Sequence, residues 1–237
     1  MTTTFYVPPG HISGNQVVLP DDEARHAVRV LRHQPGDEIV AVDGLGGRHR
    51  VRLDVADKKA ALGTIVHTEH GVGEPAYELT MAVGLLKNAS RFETFVEKAV
   101  ELGVTEIVPV TSARTEKGRM KESRLHNVLV AAMKQSGRSR LPRLAPVTPF
   151  SDMLMASSDG LRLCCHESAT APVLDALSTP FARVSVLIGP EGGFSNDEVE
   201  QAQAAGWSLA SLGPRRLRAE TAAIAACTAV QLAADRH

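Results

Sequence analysis

From residue 78 to the C-terminus, short apolar runs alternate with segments of helical periodicity, and this pattern restricts the fold more than any other feature. The runs at 78–86, 106–112 and 183–189 are almost continuously apolar. Strands that are apolar on both faces occur in parallel sheets covered by helices on each side. The sequence therefore predicts a parallel α/β domain with further strands at 161–167 and 208–213 and with helices at 90–103, 123–137 and 219–234.

The ends of two predicted helices carry recognisable signals. Ser90 and Glu93 have the spacing of a capping box at the start of the first helix, and Gly103 would end it. A second helix is predicted to begin near Ser195 and Glu198.

The first seventy residues have a different hydrophobic pattern, which is typical of a small β domain. Three β-type runs lie at 38–44, 49–57 and 61–69, and a glycine-rich connection at 44–47 joins the first two as a hairpin. A helix is predicted at 21–32. Short strands with closely spaced turns indicate a small barrel.

Residues 71–76 contain two glycines and a proline and little that could pack, so they are the predicted linker. The predicted domains are therefore an N-terminal barrel at 1–73 and an α/β domain at 74–237.

A net charge of −1 conceals a basic segment at 114–143, which holds nine basic and two acidic residues among thirty. Such a patch can neutralise several phosphates of a nucleic acid. The alternative is a solvated basic helix face. Arginine predominates near 138–143, which suits planar recognition of a phosphate or a base edge.

The remaining composition argues against several classes of protein. No apolar run has the length of a membrane span, the N-terminus lacks the pattern of a secretory signal, and three cysteines form no disulfide framework. These features predict a cytoplasmic protein. Six of the nine histidines lie before residue 74 without metal-ligand spacing, and no nucleophile elbow occurs, so no metal site is predicted.

Two strand ends carry candidate binding segments, because open parallel sheets bind ligands beyond the carboxyl ends of their strands. The turn at 189–193 has three glycines, which let a backbone approach a ligand closely. Glu191 disfavours a triphosphate and suits positive charge or hydroxyls. The second segment, at 208–226, places Arg215, Arg216 and Arg218 before a helix. The alternatives are a tight connection and a solvated surface loop.

The segments GPEGGF (189–194) and LGPRRLRAETA (212–222) together resemble the SPOUT class of methyltransferases. Within that class the chain is similar to the RsmE family, which makes N3-methyluridine in 16S ribosomal RNA. Three further segments agree with that family, at 26–44, 97–115 and 134–142. The sequence departs from the family pattern at Arg216, where an aliphatic residue is usual, and this side chain could face RNA.

The resemblance implies a PUA-like N-terminal barrel that helps to bind RNA, a trefoil-knotted SPOUT domain, and a homodimer with active sites at its interface. It also implies that S-adenosyl-L-methionine is bound bent between three loops. By match of motif, the residues expected at that cofactor are His166, Ile188, Gly189, Glu191, Gly192, Gly193, Leu212, Gly213, Leu217 and Arg218.

Methylation of N3 of uracil requires removal of a proton and stabilisation of charge on O2 and O4. Our hypothesis assigns catalytic roles to Arg138, which would contact the uracil or its phosphate, to Arg218 and to Glu191. Glu220 is a second candidate for proton acceptor, or it caps the last helix. The residues expected to bind 16S RNA or the 30S subunit are Arg114, Lys117, Arg119, Arg138 and Arg140.

Three other functions remain open at this point. The chain could be a non-catalytic ribosome-binding factor, an enzyme acting on a small molecule, or a SPOUT enzyme that methylates a ribose 2′-hydroxyl.

Overall fold

The computed structural model describes residues 3–57, 60–116, 120–156 and 159–236, and it divides into two compact units. Unit 1 comprises Met1–Glu74 and Val130–Leu141, and unit 2 comprises Pro75–Leu129 and Pro142–His237. The predicted boundary after residue 73 lies one residue from the end of the first stretch of unit 1. Residues 130–141, which were predicted to belong to the second domain, cluster with unit 1.

Unit 1 is built on a mixed six-stranded sheet with the order β1-β4-β5-β6-β3-β2. Strand β1 is parallel to β4, and the other neighbours are antiparallel. Buried side chains such as Phe5, Ile39 and Leu53 form its core. The strands are β1 (Thr4–Tyr6), β2 (Ile12–Ser13), β3 (Gln16–Val18), β4 (Glu38–Val42), β5 (Gly47–Ala56) and β6 (Ala61–His70).

The helix predicted at 21–32 is shorter and changes its type. It runs as α1 (Asp21–Arg25) and continues as one π-helical segment, His26–Val30. Arg32 then adopts a φ of 60°, a left-handed conformation that ends the helical backbone. The predicted helix is therefore confirmed in its position and overlong by two residues.

The segment at 71–76 packs more tightly than its composition suggested. The Glu74 carboxylate accepts hydrogen bonds from the Arg138 guanidinium (2.7 Å) and from the backbone N–H groups of Ser139 (2.9 Å) and Arg140 (2.8 Å). A Cβ on Gly73 would lie 2.7 Å from the carbonyl oxygen of Gly137. The prediction of a segment with little to pack is therefore wrong for Gly73 and Glu74, which are fixed within unit 1.

Unit 2 contains the predicted parallel sheet. Its strand order is β10-β8-β7-β12-β11-β13, β9 also pairs with β8, and every neighbouring pair is parallel. The strands are β7 (Glu78–Gly84), β8 (Glu106–Thr111), β9 (Arg143–Leu144), β10 (Thr148–Pro149), β11 (Leu161–Cys165), β12 (Arg183–Ile188) and β13 (Ser208–Ala210).

The helices follow the strands closely in sequence. They are α2 (Ala89–Glu101), α3 (Glu122–Ser136), α4 (Phe150–Met155), α5 (Val173–Ala176), α6 (Asn196–Ala204) and α7 (Ala219–Ala234), and α3 has residues in both units. The parallel α/β architecture predicted from the apolar runs is confirmed.

The start of α2 differs from the prediction. Its N-cap is Asn88, whose side chain accepts the Ser90 N–H at 2.9 Å, and Glu93 pairs with Arg124 at 3.2 Å. The proposed Ser90–Glu93 capping box is therefore wrong, because Asn88 precedes Ser90 and is an equally good cap.

The start of α6 matches its prediction. Ser195 and Glu198 form a complete capping box, and the second Glu198 oxygen accepts the Ala113 N–H at 2.7 Å. Glu198 thus joins the start of α6 to the loop that follows β8.

Candidate functional site: a pocket at the strand ends

A pocket of about 940 Å³ opens at the carboxyl ends of β11, β12 and β13. This volume lies near the upper end of the range usual for small-molecule sites, about 300–1,000 Å³. Because the strands are parallel, the segments that follow them meet at one edge of the sheet. The pocket is lined by residues from these three segments, around 165–172, 188–194 and 211–219, and by Arg91, Arg114 and Ala222.

The glycine-rich turn after β12 is closed by a hydrogen bond from the Gly193 N–H to the Pro190 carbonyl, at 2.8 Å. Gly193 has a φ of 66°, in the left-handed region that favours glycine. A Cβ on Gly189 would lie 2.9 Å from the backbone of Gly193, and one on Gly84 would lie 2.4 Å from the Pro190 nitrogen. The fold of the turn therefore requires glycine at these positions.

Two side-chain contacts hold this turn against the neighbouring loops. The Glu191 carboxylate accepts the backbone N–H of Lys87, at 3.0 Å, and the Arg114 guanidinium donates to the Gly192 carbonyl, at 2.9 Å. The Lys87 ammonium pairs with Glu116 at 2.7 Å, and this hydrogen bond raises the pKa of Lys87. The contacts of Glu191 and Gly192 thus join the turn to the segments that follow β7 and β8.

The segment after β13 forms the opposite wall. Gly213 has a φ of 106°, and its N–H donates to the Ser211 hydroxyl at 3.2 Å. Arg218 is the N-cap residue of α7 and makes no side-chain capping bond. Its exposed side chain lines the pocket with those of Arg215 and Arg216. This wall is therefore strongly basic.

The third wall follows β11. The Nδ1 atom of His166 lies 3.2 Å from the Ser168 N–H and 2.8 Å from its hydroxyl. If Nδ1 accepts that N–H, the proton of a neutral ring lies on Nε2. Burial is the main reason that the pKa of the Cys165 thiol is raised to about 12, and electrostatic interaction with the neighbouring Cys164 also contributes. Cys165 is therefore protonated at neutral pH and does not supply a thiolate.

All ten predicted cofactor residues line this one pocket, together with Arg114. Of the other predicted RNA-binding residues, Arg138 and Arg140 belong to unit 1 and do not line it, and Lys117 and Arg119 lie outside the described residues.

Arg138 has a structural partner. Its side chain is 3% exposed and paired with Glu74. This burial argues against the predicted contact between Arg138 and the uracil, since a guanidinium held inside unit 1 does not present its donors to RNA.

Arg91 is a pocket residue that the sequence reasoning did not identify. It lies in the first turn of α2, about a hundred residues before the glycine-rich turn, and its Nε atom is 3.6 Å from the Glu220 carboxylate of α7. The N-cap position of α7 is occupied by Arg218, so Glu220 does not cap this helix, which was one of its two proposed roles. A lone arginine in an amphipathic helix carries no signal of a pocket in the sequence.

Within the described ranges, no helix is long and apolar enough to cross a membrane. Those ranges also contain no cluster of three or more histidine, cysteine or acidic residues with the arrangement of a metal site.

Comparison with known proteins bears on both units. Residues 73–231 match a family model described as an RNA methyltransferase domain. Residues 19–66 match a second family model, described as an RNA methyltransferase PUA domain. A curated relative from Synechocystis sp., named ribosomal RNA small subunit methyltransferase E, is 33% identical over 94% of this chain and 75% of its own length.

Solved structures are similar over nearly the whole chain. A ribosomal RNA small subunit methyltransferase E from Neisseria gonorrhoeae, bound to S-adenosyl methionine, is 31% identical, with a TM-score of 0.87 and 98% coverage of both chains. A probable rRNA-methyltransferase from Porphyromonas gingivalis is 34% identical, with a TM-score of 0.88 and coverage of 97% of this chain and 98% of that one.

Proposed function

The chain belongs to the ribosomal RNA small subunit methyltransferase E family, and we propose that it methylates N3 of a uridine in 16S ribosomal RNA with S-adenosylmethionine. The observation that carries the proposal is the pocket at the ends of β11, β12 and β13, which gathers every residue expected at the cofactor. The relative from Neisseria gonorrhoeae binds S-adenosyl methionine with the same fold.

The residues that line the pocket fit this cofactor in their chemistry. Positions 193 and 213 have no heavy atom within 4 Å of an added Cβ, so the glycine backbone is open to a ligand. Glu191 offers negative charge for an ammonium or a sulfonium, and the arginines offer donors for a carboxylate. When bound, S-adenosylmethionine supplies an electrophilic methyl group.

The residues of this chain would act on the target base. Removal of the N3 proton leaves negative charge on the two uracil carbonyl oxygens, and positioned cations stabilise that charge in a site with little water. Arg218 lines the pocket and is our candidate for this role, with Arg114 beside the glycine-rich turn. Glu191 is our candidate proton acceptor. The ion pair with Glu74 supports a structural role for Arg138.

Further features of the proposal follow from the substrate and from the family resemblance. We propose that the exposed arginines Arg114 and Arg140 contact RNA, either free or in the 30S subunit. We also propose that the enzyme is a cytoplasmic homodimer.

The position of the methyl group tests the proposal. The chain is incubated with S-adenosylmethionine and with 16S RNA or 30S subunits from cells that lack the modification, and the nucleosides are identified by mass spectrometry. We expect N3-methyluridine, and none when S-adenosylhomocysteine replaces the cofactor.

Other products would contradict the proposal in distinct ways. A 2′-O-methylated nucleoside would identify a ribose methyltransferase. If calorimetry detects no binding of S-adenosylmethionine, the enzyme assignment fails and a non-catalytic ribosome-binding factor is favoured.

A further inference from the structure

Arg91 lines the pocket but belongs to none of the three wall segments, and it pairs with Glu220, which also lies outside them. Its side chain is 37% exposed and lines the pocket, while the Glu220 side chain beside it is only 12% exposed. The two side chains come from α2 and α7, both in unit 2. The distance from Arg91 Nε to Glu220 Oε1 is 3.6 Å.

The Glu220 carboxylate is not fully satisfied by this pair. Within the described part of the chain, its Oε2 atom is buried and has no hydrogen-bond partner. A buried acceptor without a hydrogen-bond partner is unfavourable, and this one lies beside a binding pocket. Arg91 is the cation nearest to this carboxylate in the ion pairs of the described residues.

An arginine that pairs with a carboxylate through one edge of its guanidinium keeps other donors for a second acceptor, because the planar group carries five N–H donors. The Arg91 Nε atom lies 3.6 Å from the Glu220 carboxylate, and Arg91 also lines the pocket. The pair therefore resembles the support of a binding arginine by a buried carboxylate.

We propose that Arg91 binds an anionic oxygen inside the pocket and that Glu220 is the positioning residue that orients it. This inference rests on the proposed function, which supplies two such oxygens: the carboxylate of S-adenosylmethionine, or an oxygen of the target RNA, on the ionised uracil or an adjacent phosphate. Both offer the same chemistry to a guanidinium.

The test compares four variants of this chain with the wild-type chain. Arg91→Gln removes the cation, Glu220→Gln removes the charge of its partner, and Arg91→Glu with Glu220→Arg reverses the pair. Arg183→Gln is the matched control, because Arg183 pairs with Glu78 at 2.9 Å and does not line the pocket. The measurements are affinity for S-adenosylmethionine by calorimetry, kcat and KM for 16S RNA, and the thermal unfolding midpoint.

We expect Arg91→Gln to reduce either cofactor affinity or kcat/KM for RNA by roughly tenfold or more, as the loss of a hydrogen bond to a charged group does. Glu220→Gln should change the same quantity in the same direction by a smaller factor. A loss of cofactor affinity identifies the S-adenosylmethionine carboxylate, and an unchanged affinity with reduced kcat/KM identifies the RNA.

The reversed pair separates binding from simple support of the fold. It should regain unfolding stability relative to the single variants and stay defective in the affected function. The proposal is overturned if the reversed pair regains function, or if Arg91→Gln behaves like Arg183→Gln. If the wild-type chain binds S-adenosylmethionine and methylates no RNA, the proposed function fails, and cofactor affinity alone then decides the role of Arg91.

Discussion

Replacement of Gly84 by alanine is expected to weaken the binding of S-adenosylmethionine by about tenfold or more. The added Cβ would lie 2.4 Å from the nitrogen and 2.6 Å from the Cδ of Pro190, and 2.9 Å from the carbonyl carbon of Gly189. These neighbours include backbone atoms of the glycine-rich turn, so the turn itself must move. Overpacking of this kind costs about 1–3 kcal/mol. The cost opposes binding because the displaced turn must return to its position to contact the cofactor, and about 1.4 kcal/mol corresponds to a tenfold change in affinity.

Calorimetry on the purified variant measures this effect, and Gly10→Ala is its control. A Cβ at Gly10 meets no heavy atom within 4 Å, so the control should bind as the wild-type chain does. Circular dichroism establishes that the Gly84 variant is folded. Wild-type affinity in folded Gly84→Ala would show that the position of the turn does not determine binding.

Replacement of Glu74 by glutamine is expected to reduce the free energy of unfolding by about 3–5 kcal/mol, the usual effect of breaking a buried ion pair from one side. The Arg138 side chain is 3% exposed and the Glu74 side chain 11%, so the substitution removes the carboxylate charge that faces a buried guanidinium. The substitution also weakens acceptance of the N–H groups of Ser139 and Arg140.

Urea unfolding measures the loss, and Glu78→Gln is the matched control. Glu78 pairs with Arg183 at 2.9 Å, but both side chains are more than half exposed, so solvent screens the pair and little stability should be lost. Adding Arg138→Met to the Glu74 variant should recover part of the loss, because it removes the buried positive charge. Equal stability of Glu74→Gln and Glu78→Gln would contradict a structural role for the buried pair.

The sequence predicted those parts of the fold that depend on local patterns. The continuous apolar runs located the strands of the parallel sheet, and the glycines at 189, 192 and 193 identified a strand end with a special backbone. The joining of this turn to 212–218 in one pocket also follows a general rule, because β12 and β13 flank β11 and all three run in the same direction.

The features that the sequence did not reveal depend on contacts between distant residues. Glu74 lay in a segment with the composition of a linker, and its role becomes visible only when Arg138 is placed beside it, 64 residues later. Without that contact, the arginines near 138–143 predicted an RNA-binding surface, although the side chain of Arg138 is buried. Every strand of unit 2 except β7 lies between Arg91 and Glu220 in sequence, and no periodicity indicates their pairing.

The central claim is that the turns after β12 and β13 hold S-adenosylmethionine, and hydrogen exchange of the wild-type chain with and without the cofactor tests it most directly. We predict that the cofactor slows exchange at backbone amides in 189–193 and 211–218, while those in 44–47, a glycine-containing loop of unit 1, exchange at an unchanged rate. Saturating cofactor that leaves the exchange of both pocket turns unaltered, or that protects a different segment instead, would contradict the account.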